Sequence, residues 1–349
     1  MENLLESIAQ EKRSEELAKL NAIQIVNSIF SDLMERERDI LTRRFGLNGD
    51  KYETLEKIGQ LHKLTRERVR QIENASIKKI KRLDNIGDYL LNLKTVVGDL
   101  LKVHGGMLRR DYLLDILTVM SLEMADKADT ESVDYEKNRQ IYKNRYDFLL
   151  SKLLSEDFDL MSETNKFNTS VKIKDESLDY LNSLGEDLIS KVDASNKTFT
   201  TEEVIDLLKN LESYSKYQDK IENTDGADIT AIFKSKIFPD KAEVINKNKT
   251  LYSLMQAVKN LERNKFGYWG KANWQEIKPK TINDKIYLIL KNASKPLHFT
   301  EIAAKINEVK FDNKNANPAT VHNELILDDR YVLTGRGMYG LREWQTAKA

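Results

Sequence analysis

The sequence predicts a mainly α, multi-domain chain of helix-turn-helix and winged-helix modules with small β-hairpin wings. Three observations carry this expectation. Apolar residues recur at helical spacing through most of the chain, and only 4 prolines interrupt 349 residues. Short amphipathic helices are followed, three times, by an aromatic extended piece. The length itself corresponds to two to four domains of about 100–150 residues each.

The elements follow in order. Residues 1–30 form an N-terminal amphipathic helix, with Leu4, Leu5, Ile8, Leu17, Leu20 and Ile23 on its apolar face. A leader helix packed on the next domain is expected ahead of a coiled-coil partner surface. Residues 31–85 read as short helices broken at "GLNGDKYET" and "LHKLT", with Gly46 and Asn48-Gly49 as breakers and Thr54 as a cap. Residues 86–175, 176–278 and 279–345 are each expected to form a winged-helix module. Their helices open at "GGMLRRDYLLDIL", "KTFTTEEVIDLL" and "KPLHFTEIAAKI", where Thr200 with Glu203 makes a capping box and Thr300 stands as an N-cap. The extended pieces are "EDFDLMSE", "NKFGYWGKANWQEI" and "DDRYVLTGRGMYGLREW". In the last, Gly335-Arg336-Gly337 predicts a three-residue hairpin turn. The charged segment 124–140 lacks an apolar face and is expected to be an exposed helix or loop.

The chemistry concentrates in "LTRERVRQIENASIKKIKRL", residues 64–83. With Thr65 as N-cap, Arg66, Glu67, Arg70 and Gln71 fall on one side of a helix, while Val69, Ile72, Ser76 and Ile80 fall on the other. Leu55, Ile58, Leu61 and Leu64 in the preceding segment complete a helix, a tight turn and a second helix. In a helix-turn-helix the leading residues of the second helix face the major groove. There arginine matches guanine O6 and N7, glutamate accepts from the cytosine amino group, and glutamine pairs with adenine. Between residues 66 and 82 stand seven Lys/Arg against two Glu, a local balance of +5 in a chain whose formal charge is zero. A solvated charged face is the competing reading. It would more often pair Glu with Lys than place Arg66 over Arg70, since like charges at that spacing repel.

Residues 36–83, through "RRFGL", "ETLEKIG" and above all "TRERVRQIE", resemble region 4 of bacterial sigma factors of the sigma-70 family. The resemblance implies a second helix that reads the promoter −35 element. By position it implies base reading by Arg66, Glu67, Arg70 and Gln71. Arg36, Arg44, Thr54 and Thr65 would hold phosphate, joined by the neighbouring cations Arg68 and Lys78. It also implies RNA polymerase core as partner, through apolar contacts on the polymerase flap. No segment resembles the family's region 2, so an accessory or sigma-like regulator is expected. Residues 282–344, through "PLHFTEIA", "NPATVHNELI" and "GRGMYGLREW", resemble the HARE-type helix-turn-helix, a winged-helix family that includes the N-terminal domain of the polymerase delta subunit. That resemblance implies a fold, and leaves DNA and polymerase both open as ligands. A delta-like polymerase adaptor with little DNA contact is therefore the alternative function.

Other chemistries find no support. The absence of cysteine removes disulfides and thiolate ligands and fits a cytoplasmic protein. His62, His104, His298 and His322 lack metal-ligand spacing, and no Gly-rich loop ends in Gly-Lys-Ser/Thr. Asp328-Asp329 reads as a turn rather than a nuclease pair. Arg336 and Arg342 at the last hairpin read as exposed, and Trp269, Trp274 and Trp344 as core or edge anchors. No apolar run approaches a membrane span of about 18 residues. No catalysis, cofactor, metal, small-molecule ligand or membrane association is expected.

Overall fold

A computed structural model describes residues 20–125, 134–222 and 227–346. By packing, the chain forms two compact units: Met1–Gly185 with Asn210–Lys259, and Glu186–Lys209 with Asn260–Ala349. Both are mainly helical, with only small antiparallel sheets. Residues 31–85 and 86–175 lie together in the first unit, and residues 176–278 are shared between the two.

The first unit begins with α1 (Ala22–Phe30), whose N-cap Asn21 accepts from the amides of Ile23 and Gln24. Ala22, Ile25, Val26, Ile29 and Phe30 are buried, so the described part of the leader helix packs on the body of the unit. The rest of the N-terminal segment, residues 1–19, lies outside the described residues. Three helices follow: α2 (Glu35–Phe45), α3 (Leu55–His62) and α4 (Arg66–Lys81). Then come α5 (Ile86–Val103), β1 (Met107–Arg109), α6 (Arg110–Thr118), α7 (Tyr135–Phe148), β2 (Phe158–Met161) and β3 (Ser170–Ile173). Short π-helical turns extend α6 and α7. The sheet order is β1-β3-β2.

Helix α7 corrects one expectation. Residues 126–133 lie outside the described residues, but Tyr135 is buried and opens a helix that also buries Tyr142, Tyr146 and Phe148. The charged window 124–140 holds only the first of these aromatic positions, Tyr135, and stops short of the other three. The buried face of α7 grips the segment joining α2 to α3. Asn144 Nδ2 donates to the carbonyls of Gly46 (2.7 Å) and Asp50 (3.2 Å), and Arg145 Nε donates to Leu47 O (2.9 Å). Phe148 meets Phe30 and Phe45 at centroid distances of 5.8 and 5.0 Å. Tyr52 and Arg110 both donate to Asp147.

The chain continues through α8 (Asp179–Ser195), α9 (Thr201–Lys209), α10 (Glu212–Glu222), α11 (Thr230–Phe233), α12 (Ala242–Lys247) and α13 (Lys249–Ala257) to the hairpin β4 (Leu261–Arg263) and β5 (Trp269–Lys271). Thr200 and Glu203 exchange the expected capping-box bonds at α9. In the second unit Phe199 forms an antiparallel bridge with Trp269, and the buried Trp269 indole donates to Thr201 Oγ1.

The second unit ends with α14 (Ile282–Ala293), β6 (Leu297–His298), α15 (Phe299–Val309), α16 (Pro318–Leu327), β7 (Tyr331–Gly335), β8 (Met338–Leu341) and α17 (Glu343–Thr346). The sheet order β6-β8-β7 repeats that of β1-β3-β2 on the same succession of elements. Two local expectations change. His298, not Thr300, is the N-cap of α15, its ring accepting from Thr300 N. The hairpin loop holds two residues, Arg336 and Gly337, because a bulge between Leu333 and Gly335 absorbs the third. Asp328 serves a turn, as expected: its carboxylate accepts from Arg330 Nε and Nη2 and from Asn283 Nδ2.

Candidate nucleic-acid interface

Helices α3 and α4 are held by a small apolar centre of Ile40, Ile58 and Val69, all inaccessible, with Leu55, Leu64 and Ile72 packed around it. Three residues, 63–65, separate the two helices. That turn closes because residue 59 has no side chain: a Cβ on Gly59 would stand 2.7 Å from Leu64 O. Lys63 takes a left-handed conformation, φ 55°, to end α3. Thr54 and Thr65 then cap α3 and α4, each hydroxyl accepting at 3.2 Å, from Lys57 N and Arg68 N respectively.

This frame fixes which side of α4 meets solvent. Val69, Glu73, Ser76 and Ile80 are buried, at the spacing of one helix face. Arg66, Glu67, Arg68, Arg70, Gln71 and Lys78 are all exposed. The four residues assigned to base reading thus share the leading end of an exposed helix face, as the sequence pattern anticipates.

Their side chains are not independent. Arg70 makes a two-point pair with Glu67, Nε–Oε2 2.8 Å and Nη2–Oε1 2.6 Å. The hydrogen bond from Arg70 lowers the Glu67 carboxyl pKa, and the same bond raises that of the guanidinium. Arg68 Nη1 donates to Gln71 Oε1 at 3.2 Å, while Arg66 and Lys78 have no hydrogen-bond or ion-pair partner among the described residues. Such exposed pairs are weak because water screens them, so a competing ligand can rearrange them cheaply.

The flanking cations divide into two kinds. Arg36 is exposed, with Nη2 on His62 O at 3.2 Å. Arg44 turns toward the protein: Nε meets Glu73 Oε2 at 3.3 Å and Nη1 donates to Glu53 O at 3.1 Å. Sequence reasoning missed this pair. Glu73 stands in the buried stripe of α4, and an acid in such a stripe calls for a cation opposite. The local charge is also smaller than the composition of residues 66–82 suggests. Lys79 meets Glu37 at 3.5 Å and Lys81 meets Glu156 at 2.9 Å, partners too far away in sequence to be counted with the helix. Of the four cations at the trailing end, Lys78, Lys79, Lys81 and Arg82, two are thus neutralised from outside the helix.

No group of three or more His, Asp or Glu is arranged to hold a metal ion among the described residues. No helix among them is long and apolar enough to cross a membrane.

Comparison with known proteins converges on the same segment. Residues 29–82 match the family model described as Sigma-70, region 4. RNA polymerase sigma factor SigA1 of Synechococcus elongatus is 42% identical over 71 residues, which are 20% of this chain and 18% of that protein. The chloroplastic RNA polymerase sigma factor sigD of Arabidopsis thaliana is 38% identical over 79 residues, 22% and 19% of the two chains. RNA polymerase sigma factor RpoD of Helicobacter pylori is 47% identical over 57 residues, 16% and 8%. The chain thus spans less than a fifth of the length of these relatives. No solved structure matches it. Residues 29–82 thus carry the similarity to sigma-70 region 4.

Proposed function

We propose that this protein is a bacterial transcription factor whose α4 enters the major groove of a promoter-like duplex, resembling a −35 element, and which associates with RNA polymerase core. It acts as an accessory or sigma-like regulator. Arg66, Glu67, Arg70 and Gln71 read base edges, with the Glu67–Arg70 pair opening as each partner finds a base. Arg36, Thr54, Thr65, Arg68 and Lys78 fix the register on phosphate, and Arg44 adds the guanidinium N–H groups left free by Glu73 and Glu53. The two repeats of helix, strand, two helices and hairpin are winged helices, the C-terminal one of HARE type.

The observation that carries this reading is the exposure of all four base-reading candidates at the start of a helix whose back, Val69 and Ile80, is inaccessible. Arg66→Ala tests it. Binding to a −35-like duplex, followed by fluorescence anisotropy, is expected to weaken by about 1–3 kcal/mol, with relaxed preference at one base pair. Equal binding of wild type and variant to that duplex and to a scrambled one would refute the proposal.

A second reading, a polymerase-binding adaptor with little DNA contact, draws on the zero net charge and the internal neutralisation of Lys79 and Lys81. Salt titration separates the two. Each phosphate contact steepens the fall of log K against log salt by about 0.9. A flat response with retained polymerase binding favours the adaptor.

A further inference from the structure

Apart from the leading end of α4, the first unit gathers a second group of arginines at one cleft of about 720 Å³. Helix α1 lines it with Val26, Asn27 and Phe30, the first turns of α2 with Arg36, Arg38 and Asp39, and α7 with Arg145. Val26, Phe30 and Leu47 are nearly inaccessible and give the cleft an apolar lining, beside which charges are weakly screened.

Arg145 is the unusual member. Its Nε donates to Leu47 O at 2.9 Å, and its Nη1 donates to Ile23 O and to Asn27 Oδ1, both at 3.0 Å. All three acceptors are neutral, and no carboxylate among the described residues pairs with this guanidinium. Its Nη2 group has no acceptor among them. Burial lowers the pKa of the group, but a guanidinium keeps its proton in a protein, so the charge stays. A half-buried cation held only by neutral oxygens is left uncompensated.

Helix α2 does not supply the missing anion. Arg38 is exposed and Arg36 donates only to His62 O, and neither pairs with a carboxylate among the described residues. Asp39 lines the cleft, but its Oδ2 is taken by Arg43 Nε at 2.9 Å and by His62 Nε2 at 2.8 Å. Glu35 is the other carboxylate of the lining, exposed and in no ion pair with any of the three arginines. Three guanidinium groups therefore stand against one free carboxylate. Their planar forks match the oxygens of a phosphate group, which more than one arginine can share.

We propose that this cleft is a phosphate-binding site, formed by Arg145 with Arg36 and Arg38 at its exposed edge. Arg36 already holds duplex phosphate in the proposed function; Arg38 and Arg145 are additional, and Arg145 lies outside residues 29–82. The phosphate belongs either to a duplex backbone or to a free phosphorylated small molecule, and the chemistry of recognition is the same. The assignment does not require base reading by α4.

The test is isothermal titration of pyrophosphate into the full chain, at constant ionic strength and without other phosphate or sulfate. It compares wild type, Asn27→Asp, Arg38→Gln and Lys209→Gln. Asn27→Asp sets a carboxylate where an amide oxygen already accepts from Arg145, so the unfolding midpoint should hold or rise while the cleft loses its free charge. Arg38 is exposed and unpaired, so its loss should leave the fold intact. Pyrophosphate affinity should fall about tenfold on each of these two variants. It should stay unchanged on Lys209→Gln, which removes one exposed positive charge from the second unit. The proposal is overturned if the wild type does not bind pyrophosphate, or if Asn27→Asp and Arg38→Gln bind it as the wild type does. An equal loss on Lys209→Gln overturns it too, since net charge alone would then be the cause. A −35-like duplex identifies the source of the phosphate. Displacement of pyrophosphate by the duplex, with weaker duplex binding on Asn27→Asp, supports the site as a backbone contact. Duplex and pyrophosphate bound together support it as a site for a free phosphorylated molecule. The pyrophosphate titration contains no DNA, so failure of base reading by α4 and failure of this site are read separately.

Discussion

Helices α4 and α16 both follow another helix across a connection and both bury one face. Their outer faces are nevertheless opposite in chemistry. Along α4 the solvent meets Arg66, Glu67, Arg68, Arg70, Gln71 and Lys78; along α16 it meets Thr320, Asn323, Ile326 and Leu327. The connections differ as well. Residues 63–65 join α3 to α4, whereas residues 310–317 join α15 to α16. The difference teaches that the buried stripe decides whether such a helix forms and docks, while the exposed stripe decides what it binds. A shared scaffold therefore carries little information about ligand.

Acid should separate the two regions most strongly. His104 lies in the core of the first unit, fully buried, with Nδ1 on Leu100 O at 2.7 Å. Burial depresses its imidazole from 6.5 to about 4. Between those values the unfolded chain binds a proton that the folded chain refuses, so this contribution is whole above about pH 6.5 and falls as pH drops to about 4. The loss is on the order of 3 kcal/mol. In the second unit, Asp328 is held down to about 2 by its Arg330 hydrogen bond. Its stabilisation of up to about 2 kcal/mol survives until pH falls below the ordinary carboxylate range. Denaturant unfolding at pH 7 and pH 4.5, with probes in each unit, should show the α4-bearing unit weakening first. Coincident loss in both units, or a His104 ring titrating near 6.5 by NMR, would remove this contrast.

The next effect comes from the turn. Gly59→Val puts a branched side chain where even a Cβ meets Leu64 O at 2.7 Å. The cost expected from such overpacking is about 1–3 kcal/mol. The longer α15–α16 connection has no corresponding close approach at a glycine, so its tolerance should be greater. The readout is the unfolding midpoint together with duplex affinity, since the displaced α4 should lose its groove geometry. A variant that keeps both would mean that the turn relaxes freely.

These contrasts mark where the sequence is legible. Val69, Ile72, Ser76 and Ile80 announce the inward face of α4 by spacing alone, and the caps Thr54, Thr65 and Thr200 stand where the sequence expects them. Long-range partnership is what spacing cannot convey. Nothing around Lys81 indicates Glu156, and nothing around Gly46 indicates Asn144, 98 residues away. The buried face of α7 escaped notice because Tyr135 stands alone among the charges of its first turns, while its later turns carry the other aromatic residues that bury it. The exposed apolar end of α16 is invisible for a different reason: a run such as "ELIL" fits a buried helix as well as an uncovered one until its neighbours are placed.

The smallest effect is the most discriminating, because it holds stability constant across the comparison. Thr65 caps α4 through Arg68 N, and Asn317 caps α16 through Ala319 N at 2.9 Å. Replacing either by alanine should cost about 1 kcal/mol of stability, as loss of an N-cap does elsewhere. If α4 reads DNA, Thr65→Ala carries an additional penalty. Its hydroxyl is exposed at the helix start, and a phosphate there would accept the hydroxyl proton while the capping oxygen keeps its bond to Arg68 N. Duplex affinity should then fall with Thr65→Ala and stay unchanged with Asn317→Ala, at matched losses of stability. Equal affinities for the two variants would show that the exposed start of α4 contributes nothing that an ordinary helix end does not.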